Sequence, residues 1–241
     1  MTSQRMPLPT AEPVSTLPLD EVAIMSFAGI WRSWGRGSRR RLVLRDVDLD
    51  LTPGTAVRVE GANGAGKTTL LRIGAGILRP DAGSVHLEGW SGEGNWREYH
   101  RRIGVLSAGD RGLYARFSVR GHLAYAARIA FLPRPVRKQA VEEALVRFDL
   151  QDLAKRRADR LSQGQRQRLR LALTVVHRPR VLLLDEPRNS LDAPGQAMLA
   201  DAVADVLGDG GAVLWCSPAG EQQPVEFDRS YAIRDGALEP A

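Results

Sequence analysis

The residues that could do the most chemistry are Gly61-Ala62-Asn63-Gly64-Ala65-Gly66-Lys67-Thr68-Thr69. Their glycines let successive backbone N–H groups turn inward as a nest for phosphate oxygens. Lys67 is spaced to reach β- and γ-phosphates, and Thr68 to offer its hydroxyl to Mg²⁺. A plain glycine-rich turn would not require Lys-Thr directly after its last glycine. A second group is Asp185-Glu186-Pro187, reached through the apolar run Val181 to Leu184. A strand ending in Asp places a carboxylate at a sheet's C-terminal edge, where Mg²⁺ sits beside the phosphates. Glu186 then becomes the candidate to orient or deprotonate an attacking water. The third group is Leu161-Ser162-Gln163-Gly164-Gln165. Ser162 is a natural N-cap, Gly164 permits close backbone approach, and a helix start is itself an anion site. These phosphate-facing devices lie far apart in the chain. One nucleotide would be served by both the Lys67 loop and the Ser162 helix start only if two chains met face to face.

Positioning these groups takes an α/β chain. The phosphate loop follows the apolar alternation Thr55 to Glu60 and precedes a helical pattern through Leu70, Leu71, Ile73 and Ile77. Upstream, Val22 to Phe27 and Leu42 to Leu51 read as strands around the turn-rich Gly35 to Arg39. Downstream, Ser84 to Leu87 and Ile103 to Ser107 read as two more. From Phe117 the apolar period becomes helical, through Val119, Leu123 and Ala130, then through Val136, Ala140 and Phe148. Pro133 and Pro135 divide these two patterns. The expectation is a helical subdomain at about residues 117–178 inserted in the α/β core, with the Arg166-to-Val176 helix at its end. Val181 to Leu184 has the continuous apolar character of a buried parallel strand. A helix through Leu199 and Val206, the strand Ala212 to Ser217 and a terminal hairpin around Asp235-Gly236 complete the domain, 21–241. Residues 1–20, with four prolines and no apolar periodicity, read as a flexible tail.

A chain of 241 residues, 43% hydrophobic and 26% charged, can bury a sizeable core. Its single cysteine excludes an internal disulfide framework. No apolar run approaches the ~20 residues of a spanning helix, and the first residues lack the apolar core of a secretory signal. The net charge of +6 is mostly arginine, densest at Arg39 to Arg41, Arg156-Arg157-Arg160 and Arg166-Arg168-Arg170. With no aromatic residues interleaved for base stacking, these clusters read as solvated faces, and no nucleic-acid partner is expected.

The order of phosphate loop, helical segment, Leu-Ser-x-Gly-Gln, Asp-Glu-Pro and Ser190-Leu191-Asp192 resembles the nucleotide-binding domain of ATP-binding cassette (ABC) transporters, over roughly residues 22 to 240. The resemblance implies a phosphate-loop NTPase core sheet, an antiparallel β subdomain and an inserted α-helical subdomain. It implies ATP and Mg²⁺ as cofactors, a second cassette, and an integral-membrane permease that holds the protein at the inner face of the membrane. By the same likeness Ser162 to Gln165 address the nucleotide of the partner cassette, and Ser190 with Asp192 belong to a loop at the dimer. Trp34 falls where the family places an aromatic ring against adenine, with Trp31 as the nearby alternative.

Two departures stand out. The family has Gln after the strand that here ends in Ser107, and this chain has Ala108. The family ends its later strand with a switch His, and here Ser217 runs into Pro218. Asp110 and Ser217 are the nearby groups able to stand in, as a Mg²⁺-side carboxylate and a γ-phosphate hydroxyl. Losing one preorganised donor costs on the order of 10²–10³ in rate, so slow hydrolysis with retained ATP binding is expected. The leading reading is the ATPase subunit of an exporter. Two alternatives remain: a mainly ATP-binding half of an asymmetric heterodimer, and a non-transport cassette protein such as a cluster-assembly ATPase.

Overall fold

A computed structural model describes residues 22–35, 39–109, 112–189, 191–221 and 224–241. The strands are β1 (Met25–Trp34), β2 (Arg41–Leu51), β3 (Ala56–Glu60), β4 (Ala82–Leu87), β5 (Trp90–Ser91), β6 (Ile103–Leu106), β7 (Val181–Asp185), β8 (Ala212–Ser217), β9 (Arg229–Arg234) and β10 (Ala237–Pro240). The helices are α1 (Lys67–Gly74), α2 (Trp96–His100), α3 (Val119–Ile129), α4 (Arg134–Arg147), α5 (Gln163–Val175) and α6 (Ala193–Gly208). An antiparallel sheet runs β2-β1-β4-β5, and a six-stranded sheet runs β10-β9-β3-β8-β7-β6. In the second sheet only β10 is antiparallel to its neighbour. The α/β class, with a parallel core sheet and a separate antiparallel one, agrees with the sequence expectation.

Strand alternation divides the core in two. Val57, Val59, Leu183, Leu214 and Cys216 face α1 and the antiparallel sheet. Leu182, Leu184, Val213 and Trp215 face the side carrying α3 to α6. Val181 to Leu184 are wholly buried, and each such aliphatic side chain contributes roughly 1.5–3 kcal/mol before entropy is counted. That burial fixes where Asp185 emerges.

β1 begins three residues later than Val22 and continues past Phe27 to Trp34. Its apolar alternation breaks because a bulge at Gly29, φ 56°, shifts the phase so that Ile30 faces inward. β2 carries a matching irregularity, with Asp46 at φ 48° between buried Leu44 and Val47. α3 is capped by Ser118 Oγ, which accepts the Gly121 N–H at 3.0 Å, and Pro135 opens α4. α2 and β5 have no counterpart in the sequence reading.

Candidate nucleotide site

The phosphate loop leaves β3 and enters α1 through backbone that glycine alone adopts easily. Gly64 has φ 79° and Gly66 φ 120°. A Cβ on Gly66 would stand 2.9 Å from the Val43 carbonyl oxygen. Asn63 and Ala65 complete the turn, Thr69 lies in the first turn of α1, and Ala65 N–H closes onto the Ala62 carbonyl at 3.1 Å. Gly61 approaches the Ile233 carbonyl closely, at 3.3 Å from an ideal Cβ. Lys67 is 5% exposed and donates from Nζ to the Gly61 and Ala62 carbonyls at 2.6 and 3.1 Å. Its charge is thereby held over the loop's concave face.

Thr68 Oγ1 donates to Asp185 Oδ2 at 2.8 Å, so the hydroxyl and carboxylate meet across 117 residues of chain. Burial raises the Asp185 pKa; the Thr68 hydroxyl, the Ala108 N–H and the Lys67 charge oppose that rise, while Glu186 adds to it. Asp185 Oδ1 is buried without an aligned hydrogen-bond partner. A buried carboxylate oxygen beside a threonine hydroxyl is the donor set a hard divalent cation takes, so these residues fit Mg²⁺. Glu186 holds φ 47°, with its N–H on the Cys216 carbonyl at 2.9 Å. Asn189 Nδ2 donates to its Oε2 at 2.8 Å.

A cavity of about 430 Å³ gathers Trp34, Arg41, Val43, Asn63, Gly64, Gly66, Lys67, Thr68, Thr69 and Glu186. Trp34 is 42% exposed at its rim, with the Arg32 guanidinium 4.6 Å from the ring centroid. Trp31 pairs with Ala82 instead and does not line this cavity. Arg41, read in the sequence only as part of a solvated cluster, lines the cavity, and Asn189 had no sequence signal of its own until the fold brings it to Glu186.

Ser162 caps α5 in a reciprocal box: its Oγ accepts the Gln165 N–H at 3.2 Å, and its N–H donates to Gln165 Oε1 at 3.0 Å. Ser162, Gln163, Gly164 and Gln165 all lie outside the Lys67 cavity. Asp192 caps α6 through the Gly195 N–H at 2.9 Å and pairs with Arg168 of α5 at 2.9 Å. An ideal Cβ on Gly164 would sit 3.6 Å from Asp192 Oδ2, so the α5 start and the α6 cap adjoin. Ser190 and Asp110 fall outside the described residues.

Ser217 is fully buried, and its Oγ has no hydrogen-bond partner. On β8, Cys216 faces α1, with Sγ 3.9 Å from the Lys67 carbonyl. Alternation turns Ser217 to the opposite face with Trp215. It does not line the nucleotide cavity. One arginine cluster also differs from expectation. Arg170 is 6% exposed rather than solvated, because its face of α5 lies against β6.

Fold and loop together define a phosphate-loop nucleotide-binding cassette. The sequence model of the ABC transporter family matches residues 44–189. The ABC transporter ATP-binding protein NatA of Bacillus subtilis is 33% identical over 195 residues, 81% of this chain and 79% of that protein. The cytochrome c biogenesis ATP-binding export protein CcmA of Bordetella bronchiseptica is 40% identical over 185 residues, 77% and 79% of the two. The solved ATP-binding subunit of an ABC transporter superposes with TM-score 0.79 at 20% identity, over 89% of this chain and 88% of that one. A dimeric cassette bound to ADP and Pi gives 0.76 at 19%, over 89% and 96%. This chain belongs to the ABC transporter family, as an ATP-binding subunit. Among the described residues no helix is long and apolar enough to cross a membrane.

Proposed function

We propose that the chain is the Mg²⁺-dependent ATPase subunit of an exporter, working as a cassette dimer beneath a membrane permease. The observation that carries this reading is the convergence of Lys67, Thr68 and Glu186 on one cavity, with Asp185 bonded to Thr68 at its edge. The N–H nest and Lys67 would hold the β- and γ-phosphates, and Trp34 would stack on adenine. Thr68 and Asp185 would hold Mg²⁺, which when bound supplies charge neutralisation between the phosphates. Glu186, steadied by Asn189, orients the attacking water. Ser162 and Gly164 lie outside the cavity, which supports their acting on the nucleotide of a second cassette, with Ser190 and Asp192 at the dimer. Export is inferred from the likeness to CcmA, and a cytoplasmic-face location from the family's work with permeases.

Docking of the permease is assigned to the aromatic cluster on α3 and the segment before it. Tyr114, Phe117 and Tyr125 are exposed and in mutual ring contact, the kind of surface that forms interface hot spots. The Tyr114 N–H donates to His122 Nε2 at 2.9 Å, while His122 Nδ1 donates to the Ser118 carbonyl at 2.9 Å. A neutral imidazole therefore braces this segment.

Ala108 and Pro218, where the family carries Gln and the switch His, bring no side-chain donor of their own, which favours slow turnover. The same two residues favour a second reading, a chiefly ATP-binding member of an asymmetric pair. ATP titration and turnover of the purified chain test the main reading. Lys67→Ala should abolish ATP binding. Glu186→Gln should retain it and lose hydrolysis. Equal loss of nucleotide in both variants would contradict these roles.

A further inference from the structure

β6 is the open edge of the parallel sheet. Its carbonyls at residue 102 and beyond alternate in direction, and the Arg102 carbonyl turns toward the β7 side to accept the Val181 N–H. The Ile103, Val105 and Ser107 carbonyls face the other way and would be left without partners along a bare edge. Three side chains on one face of α5 and its extension meet them. His177 Nε2 lies 3.0 Å from the Ile103 carbonyl, Thr174 Oγ1 donates to Val105 at 3.3 Å, and Arg170 Nη2 donates to Ser107. Spacings of seven helix residues, about 10 Å, and four strand residues, about 13 Å, are close enough for a long arginine to make up the difference. An ideal Cβ on Gly104 would lie 2.5 Å from the Thr174 carbonyl, so helix and edge are in backbone contact.

The last of these bonds reaches further than the edge. In a trans peptide the C=O and N–H point in opposite directions. The Ser107–Ala108 peptide thus turns its oxygen to Arg170 and its N–H toward the β7 side, where Asp185 follows Leu184, the register partner of Leu106. One peptide unit stands between a buried guanidinium on α5 and the carboxylate beside Thr68. Gln167 Oε1 accepts from Arg170 Nη1 at 2.7 Å and fixes the guanidinium in place.

We propose that Arg170 is a positioning residue that holds the Ser107–Ala108 peptide against Asp185, linking the helix that carries Ser162 to the metal-side carboxylate. The proposal rests on the ATPase reading for its purpose, but its geometry can be tested without nucleotide.

The test uses the full chain with Arg170→Met, Arg170→Lys and Thr174→Val. Amide exchange at Ala108 is measured without nucleotide, and ATP affinity with Mg²⁺ and with a chelator. Arg170→Met should speed Ala108 exchange at least tenfold and weaken Mg²⁺·ATP binding several-fold, leaving chelated ATP unaffected. Arg170→Lys should restore most of both, and Thr174→Val, which loosens the same edge elsewhere, should change neither. Should Arg170→Met not fold, Arg170→Gln is the replacement and should give the same signs at smaller size. Unchanged Ala108 exchange, or an equal effect from Thr174→Val, overturns the proposal and leaves Arg170 as an edge cover. Failure of the wild-type chain to bind ATP would instead refute the ATPase reading, and the exchange data would still decide the relay.

Discussion

Asp185→Asn should make the nucleotide-free protein more stable and the Mg²⁺·ATP-bound protein less so. Asp185 is 3% exposed; one oxygen accepts from Thr68, and the other lacks an aligned partner. Asparagine keeps an acceptor for the Thr68 hydroxyl and replaces the charged oxygen that lacks an aligned partner with a neutral amide. Leaving a buried polar group unmatched costs about 1–3 kcal/mol, and more when it is charged. The change from charged to neutral should therefore stabilise the free chain by about 1–2 kcal/mol. At this chain length that is a rise of roughly 2–8 °C in Tm.

The pH dependence follows from the direction of the pKa. Burial raises Asp185 above its ordinary 3.8, so the folded state binds the proton more readily than the unfolded one. The wild-type penalty is full at neutral pH and disappears as pH falls through the raised folded value, closing the gap between the two proteins. With Mg²⁺·ATP at a hundred times its Kd, the wild type gains about 2.7 kcal/mol and Asp185→Asn forfeits the metal-dependent part, so the order reverses. Thermal unfolding at pH 7.5 and 5, with and without Mg²⁺·ATP, gives all four comparisons. A free Asp185→Asn chain less stable than wild type at pH 7.5 would refute the reasoning. It would mean that Lys67 and the Ala108 N–H already offset the buried charge.

Pro218→His should raise ATP turnover above both wild type and a Pro218→Ala control with ATP affinity unchanged, measured on dimers of checked composition; equal rates for His and Ala would exclude the missing side chain as the limit. Tyr114→Ala should reduce co-purification with the permease severalfold while sparing ATP binding. Burial lowers the pKa of His100, His122 and His177 below the ordinary 6.5. Their stabilising contribution is thus present above pH 6.5 and lost as pH falls through the folded values. Tm should hold between pH 8 and 7 and decline below 6.5, most cleanly in the Asp185→Asn background, and His177→Gln should flatten the decline.

What could be read in the sequence was whatever short-range spacing dictates. Gly64, Gly66, Lys67 and Thr68 are neighbours in the chain, so their type and order carry the loop's geometry without help from the fold. Val181 to Leu184 announces its own burial, and Ser162 with Gln165 its own cap. α2 gave no such signal because only Tyr99 is buried among its five residues. A single inward residue has no periodicity, and what fastens the helix is a bond to the Gly74 carbonyl, 25 positions away. β1 was cut short for the converse reason: a bulge inverts the very alternation by which a strand is recognised.

The harder cases turn on which face of an element meets which neighbour. Ser217 follows Cys216 by one residue, and that single step moves it from the α1 face to the side of Trp215. Its buried hydroxyl does not line the nucleotide cavity, which no spacing in the sequence could show. Arg170 was grouped with Arg166 and Arg168 because they share composition, yet successive even positions on a helix diverge by about 200° per pair of residues. Arg168 turns to Asp149 and Asp192, whereas Arg170 turns to the carbonyl edge of β6. Composition reports how many charges a segment carries. Only the strand order, with β6 outermost, makes one of them a buried donor. The site's least legible residue is therefore the one whose role depends on an edge that no local pattern could reveal.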